Sequence, residues 1–417
     1  MNKYIRLDEC CQIALSSIDK KSKSNEKPIK LCNFTDVYYN WNIYSSMTDE
    51  FMEATASDKN IDIFSLKQGD VVITKDSETR DDIGMAAFVY EDLPNTVLGY
   101  HCALIRPLHS VDGSYLNAFL NSYLGRKHFE NQASGSGQRY TLTKEALGSI
   151  KIPLIPIHRQ KAIGALFSNI DKRIHNGKQT ISELESLAQT IYDYWFLQFE
   201  FPNEDGKPYK SSGGKMVWNE ELKREIPDGW RVGALSDIAN FNMGQSPKGQ
   251  SYNTNSMGYP LINGAAELTK DKIKIEKYTS KANRFSNIND WIFCIRATIG
   301  NIQCSDKEYA LGRGVASATV KEETFFEYLY FLLNEMCNYY EKILIGSIIS
   351  GMTREDIINY SCIIPDKRVV SKFHTISKDS FQIIESLKKE DQQLASLRDF
   401  LLPLLMNGQV TFRDADK

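Results

Sequence analysis

Several short runs of hydrogen-bonding side chains stand at the ends of strand-like segments, and their types suit recognition of a polar surface. Thr74, Lys75, Asp76 and Ser77 follow Val71-Val-Ile73, and Tyr100-His101 precedes Cys102-Ala-Leu-Ile105. Gln245, Ser246, Asn263, Arg296, Thr298 and Arg313 hold comparable places in the second half. Each also has a plainer reading, because Asp76 and Ser77 can bond their own backbone and Gln245-Ser246-Pro247 can simply shape a loop.

Bond-making chemistry finds no motif. The chain has no Pro-Pro, so the Asn/Asp-Pro-Pro-aromatic signature of an exocyclic-amine methyltransferase is missing. Gly213-Gly-Lys215 precedes Met216 and lacks the upstream glycine of a nucleotide cradle. Neither HExxH nor GxSxG occurs. The 6 His are dispersed, and Asp81-Asp82 and Glu322-Glu323 read as solvated faces. The 8 Cys include no CxxC pair, which suggests reduced thiols and neither zinc nor a disulfide framework. The expectation is a chain with no catalytic residue and no metal.

The elements that must position these loops come in two copies. Phe64–Thr74, Val97–Ile105 and Gly135–Leu147 are answered by Phe285–Ile295, Ala310–Thr319 and Gly346–Ile357. Equivalent residues lie 220 apart at Asp70 and Asp290, 213 apart at Gly99 and Gly312, and 210 apart at Thr143 and Thr353. A repeat of this length is a whole domain plus a helix. Strands are predicted at 62–74, 86–90, 98–105, 260–263, 291–296 and 315–320, with helices at 115–131 and 325–343.

Each copy ends in a long helical pattern. Ile163, Phe167, Ile170, Ile174, Ile181, Leu184, Leu187, Ile191 and Tyr194 form one apolar seam; Val370, Phe373, Ile376, Ile383, Leu387, Leu394, Leu397 and Leu401 form another. Pro403 is expected to bend or end the second helix. Each helix spans roughly 40 residues, about 60 Å. An antiparallel pairing would bury both seams; the alternative is that each helix packs on its own module.

At 417 residues the chain has room for two or three domains, and 42% hydrophobic content is ordinary for globular protein. A net charge of −3 gives no basic footprint overall. The halves differ, however: residues 31–100 hold 13 Asp/Glu against 4 Lys/Arg, whereas 231–300 hold 9 Lys/Arg against 5 Asp/Glu. The polar start and the lack of a long uncharged run argue against a membrane role and for the cytoplasm.

The order of module, long helix, connector, module and long helix resembles the DNA-specificity subunit of type I restriction-modification enzymes. Gly69–Thr79, Ile191–Phe196, Pro208–Met216, Glu225–Trp230 and Gly244–Tyr252 are similar to segments of that family. The resemblance implies an α+β fold: two β-rich target recognition domains separated by two long helices in an antiparallel coiled coil, with an internal pseudo-twofold repeat. It places recognition domain 1 at 1–155, the first spacer helix at 156–200, a connector at 201–229, recognition domain 2 at 230–365, the second spacer helix at 366–408 and a tail at 409–417. It further implies double-stranded DNA as ligand and two copies of an adenine-N6 methyltransferase subunit, which would bind S-adenosylmethionine. A motor-nuclease subunit joins the full complex. The polar loop residues named above then become candidates for DNA contact, where a bidentate Arg or Gln is worth about 1–3 kcal/mol per base pair. Tyr192, Tyr194, Trp195 and Phe196 are candidates for a partner interface or a cap on the second module. Rival readings are a coiled-coil scaffold without DNA, and the specificity component of a modification-only system.

Overall fold

Val71–Thr74 is buried at every position because it is an inner strand with a core on each face. Val71 and Ile73 enter one core with Ala103 and Ile105, whereas Val72 enters another with Leu104 and Cys102, as the two-residue period of a strand requires. The computed structural model describes residues 3–137, 139–296, 298–344 and 351–412. Two units result: Met1–Asn176 with Glu390–Lys417, and Gly177–Lys389.

The first unit holds a five-stranded sheet in the order Cys11–Leu15, Cys102–Pro107, Val71–Thr74, Ala86–Val89 and Asn42–Ile43. A smaller sheet sets Lys27–Cys32 antiparallel to Met52–Ala56 and parallel to Thr96–Leu98. The second unit repeats the larger sheet with Ala239–Met243, Val315–Val320, Trp291–Cys294 and Gly300–Cys304. It repeats the parallel pair with Tyr259–Ile262 and Ala310–Leu311. Each module is also closed by an antiparallel pair near its two ends, Lys3–Arg6 with Lys151–Leu154 and Arg231–Ala234 with Ser361–Ile364. Burial alternates alike: Trp291 and Phe293 face one core, Ile292 and Cys294 the other.

The long helices are Ile157–Tyr192, which widens into a π turn at Asp193–Leu197, and Lys367–Met406. Within the first unit, Ile163 and Phe167 share a core with Leu402, Leu405 and Met406, while Arg173 pairs with Glu390 at 2.7 Å. Within the second, Tyr192 meets Phe373 and Glu185 lies 3.7 Å from Lys388. In both units rising numbers on one helix meet falling numbers on the other, so the helices pair antiparallel.

Several local expectations need correction. Residues 62–74 are not one strand: Asp58–Phe64 is a helix capped by the Ser57 hydroxyl, and a turn with Gly69 at φ 93° precedes the strand. Residues 98–105 are split by a turn at Gly99–His101 between Thr96–Leu98 and Cys102–Pro107. The helix expected at 115–131 breaks at Ser122, whose hydroxyl caps the second piece. Pro403 lies inside its helix, which continues to Met406. Leu187, Tyr194, Ile376, Ile383 and Leu397 are exposed, and Ala188, Ser377, Phe381 and Ile384 turn inward instead. The stretch 201–229 is packed: Phe201 stacks on Trp230 at 5.0 Å, and Met216–Asn219 pairs with Arg224–Pro227. Among the described residues no helix is long and apolar enough to cross a membrane.

Candidate functional site

Three backbone hydrogen bonds assemble the loop edge of the first unit. Lys75 N donates to His101 O at 2.9 Å, Leu142 N to Lys75 O at 2.8 Å, and Gly99 N to Cys32 O at 2.8 Å. They bring the ends of strands Val71–Thr74 and Cys102–Pro107 against a hairpin formed by Ser134–Ser136 and Arg139–Thr141. The hairpin depends on glycine: Gly135 and Gly137 have φ of 142° and 60°, and a Cβ on Gly135 would strike the Arg139 carbonyl.

Asp76 is the hub of this edge. Its carboxylate accepts from the Thr141 hydroxyl, lies 2.8 Å from His101 Nδ1, 3.2 Å from Lys75 Nζ and 3.3 Å from Arg139 Nη2. Burial by itself would raise its pKa; the hydrogen bonds from Thr141 and His101 and the charge of Lys75 outweigh burial and hold it at about 2. His101 Nδ1 also lies 3.1 Å from Arg139 Nη2. A guanidinium only donates, so this nitrogen serves one neighbour at a time. Lys75 Nζ sits 4.7 Å from the Tyr100 ring centroid, a cation–π contact. Above this buried base stand the exposed Tyr100 and Arg139 and the half-buried His101, with Arg80 over the Tyr140 ring at 5.1 Å.

The second unit repeats the backbone and changes the side chains. Ile295 N donates to Gly314 O and Met352 N to Ile295 O, both at 2.9 Å, and Gly312 N donates to Ile262 O at 2.8 Å. Arg296 therefore occupies the place of Asp76, and Arg313 that of Tyr100. Arg313 N donates to Ser246 Oγ at 3.3 Å, and Gln245 N to Leu311 O at 2.9 Å. A Cβ on Gly312 would strike the Asn263 amide oxygen and one on Gly314 the Asn263 carbonyl, so Gln245, Ser246, Asn263 and Arg313 are drawn into one patch. Gln245, Arg296, Thr298 and Arg313 are exposed. Among the described residues neither Arg296 nor Arg313 forms an ion pair. In the same unit Lys270, Lys272, Lys274, Lys277, Lys281 and Arg284 are all exposed, with Lys274 paired to Glu276 at 2.6 Å. Residues 346–350 of the predicted repeat segment lie outside the described residues.

The structure redistributes the expected roles. Thr74 is fully buried, its hydroxyl accepting from Met85 N at 3.0 Å; Lys75 and Asp76 are buried as an ion pair. These residues support the edge and do not form its outer surface. Ser77 is half-buried and pairs with Tyr140. Of the two readings of Tyr192, Trp195 and Phe196, their burial fits the cap on the second module and not the partner surface: they lie in the core of the second unit, where Tyr192 stacks on Phe331 at 4.5 Å and its hydroxyl donates to Glu335. Tyr194 alone of that group is exposed. Arg80, Arg139 and Tyr140 were overlooked as surface residues, although the glycine-bracketed Gly135-Ser-Gly-Gln-Arg139 marked a polar hairpin. Among the described residues no cluster of His, Cys, Asp or Glu could hold a metal ion.

Comparison with known proteins gives a consistent result. The family model described as type I restriction modification DNA specificity domain matches residues 2–186 and again 227–392. A Methanocaldococcus jannaschii relative, the type I restriction enzyme MjaIX specificity subunit, is 28% identical over 294 residues, covering 66% of this chain and 64% of the relative. The Haemophilus influenzae type I restriction enzyme HindI specificity subunit is 21% identical over 406 residues, covering 83% and 87%. The crystal structure of a type I restriction-modification S subunit from M. genitalium shares the fold, with TM-score 0.63 at 14% identity, covering 99% of this chain and 96% of that one.

Proposed function

Since the chain belongs to the type I restriction modification DNA specificity family, and is a DNA-specificity subunit of such a system, we propose that each loop edge reads one half of a two-part DNA site. The observation that supports this most directly is the repeated edge: one hydrogen-bonded backbone frame, built twice, displays different polar side chains at matching places. Base pairs are told apart by donors and acceptors in the grooves, and phosphate contacts set register and affinity. In the first half-site Tyr100 and His101 lie outermost, supported by Lys75 and Asp76; in the second, Gln245, Ser246, Asn263, Arg296, Thr298 and Arg313 form the reading surface.

The chain acts without chemistry of its own. Two copies of an adenine-N6 methyltransferase subunit, carrying S-adenosylmethionine, modify the site, and a motor-nuclease subunit completes the restriction complex in the cytoplasm. Exposed apolar residues on the long helices, among them Leu187, Tyr194, Ile376, Ile383 and Leu397, supply a docking surface for the methyltransferases.

Methylome sequencing of a host that carries the chain with its methyltransferase tests the reading. A two-part adenine motif present with the chain and absent after its deletion is the expected result. Methylation that persists unchanged after deletion refutes it.

A further inference from the structure

We propose that Arg139 reads a guanine in the first half-site and that the buried Asp76 carboxylate holds it in place for that task. The inference rests on the DNA-reading function proposed above and adds the residue and the base. Arg139 projects from a glycine-hinged hairpin, its side chain 55% exposed, while the carboxylate it touches is 8% exposed. Only Nη2 is engaged: with His101 Nδ1 donating to Asp76, one Nη2 hydrogen serves the same carboxylate and the other stays free. Nε and Nη1 have no partner among the described residues, so the guanidinium is tethered at one corner, and the second Nη2 hydrogen with that of Nη1 or Nε forms a free fork for a base edge. A planar fork of two N–H donors matches the O6 and N7 acceptors of guanine, the commonest specific contact in the major groove.

The tether is itself strongly fixed. Asp76 is anchored by the Thr141 hydroxyl from the hairpin and by Lys75 from the strand end, so it couples the hairpin to the sheet. A side chain with many rotamers loses less freedom on binding when it is already restrained. Phosphate is the competing target for any exposed arginine, and the surroundings disfavour it. Ser77 pairs with Tyr140, and the loop that follows it carries Glu78, Asp81 and Asp82 against Arg80, with Asp82 bonded to Tyr38. A surface of this charge attracts a polyanion weakly, so short directional bonds must supply its share of recognition.

The test uses the chain co-purified with its methyltransferase, in methylome sequencing and in competition binding with duplexes substituted one base pair at a time. Arg139→Ala should make one G·C position of the first half-site degenerate, with a loss of discrimination of about 10- to 100-fold there and none elsewhere. Arg139→Lys should restore charge but little discrimination, since an ammonium lacks the fork. Asp76→Asn should relax the same base pair by a smaller factor; that coincidence separates a positioning role from mere stabilisation, which would weaken all positions alike. Uniform weakening by Arg139→Ala, with the slope of log affinity against log salt reduced by about one, would identify a phosphate contact and overturn the proposal. An unchanged motif would overturn it as well. Absence of any two-part motif with the unsubstituted chain would instead refute the broader function.

Discussion

The two units solve one backbone problem with opposite charges. At the loop edge of the first, Asp76 is buried and collects Lys75, Thr141, His101 and Arg139 around it. At the matching place in the second, Arg296 is exposed and forms no ion pair among the described residues, and the same unit exposes Lys270, Lys272, Lys277 and Lys281. The main-chain bonds are the same: Leu142 to Lys75 in one, Met352 to Ile295 in the other. A frame made of peptide groups places little demand on side chains away from its glycines, so the surface can diverge while the scaffold stays. One edge is preorganised by an internal ion-pair network, and the other is open and cationic.

Removing each hub should show the difference most strongly. Asp76→Ala leaves Lys75 buried without its counter-charge, and breaking a buried pair costs about 3 kcal/mol or more. Denaturant unfolding followed by hydrogen exchange should show that loss in the first unit, whereas Arg296→Ala should leave the second unit's midpoint where it was. Equal effects would break the comparison. Glycines come next: Gly312→Ala forces a methyl into Asn263 and should cost about 1–3 kcal/mol. Gly99→Ala meets its nearest atoms at 3.0 and 3.1 Å and should cost less, by the same measurement.

Charge outside the hubs sharpens the contrast further. Replacing Lys272, Lys277 and Lys281 by Gln should lower the salt slope of DNA binding by about 2–3, near 0.9 for each phosphate no longer neutralised. Replacing Lys27 and Lys30, already paired with Asp58 and Glu53, should change it little. The smallest effect is in pH. Asp76 titrates lower in the folded chain, at about 2, than the ordinary 3.8. Its contribution to stability is therefore complete above about pH 4 and is lost as pH falls towards 2. Acid unfolding of Asp76→Asn should lack that component, and arginine at the matching place does not titrate in this range.

The repeat and both long helices were legible because they rest on periodicity and on matched order, as Asp70/Asp290 and Thr143/Thr353 illustrate. Both threonines cap short helices, accepting from Ala146 and Asp356 respectively. The site was half legible. Polar residues after a strand suggest an exposed loop, and that inference served for Tyr100, His101, Arg296 and Arg313. It misplaced Lys75 and Asp76, because burial of an ion pair depends on Thr141 and Arg139, more than 60 residues away, closing over it. The seam misassigned Leu187 because hydropathy favours leucine over the smaller Ala188, yet close helix approach favours alanine. The aromatic run at 192–196 admitted two readings, a partner interface or a cap on the second module, because composition does not say which side the core lies on.

The first unit is built from two stretches that the second unit separates in sequence, Met1–Asn176 and Glu390–Lys417. Leu402, Leu405 and Met406 share a core with Ile152 and Phe167, against which Ile5 and Leu154 also pack. A ribosome delivers those closing residues only after the whole of the second unit. During synthesis the earlier-born module must wait, incomplete, for the later one to be translated, and a message cut between Lys389 and Leu402 leaves the first module without its closing apolar layer.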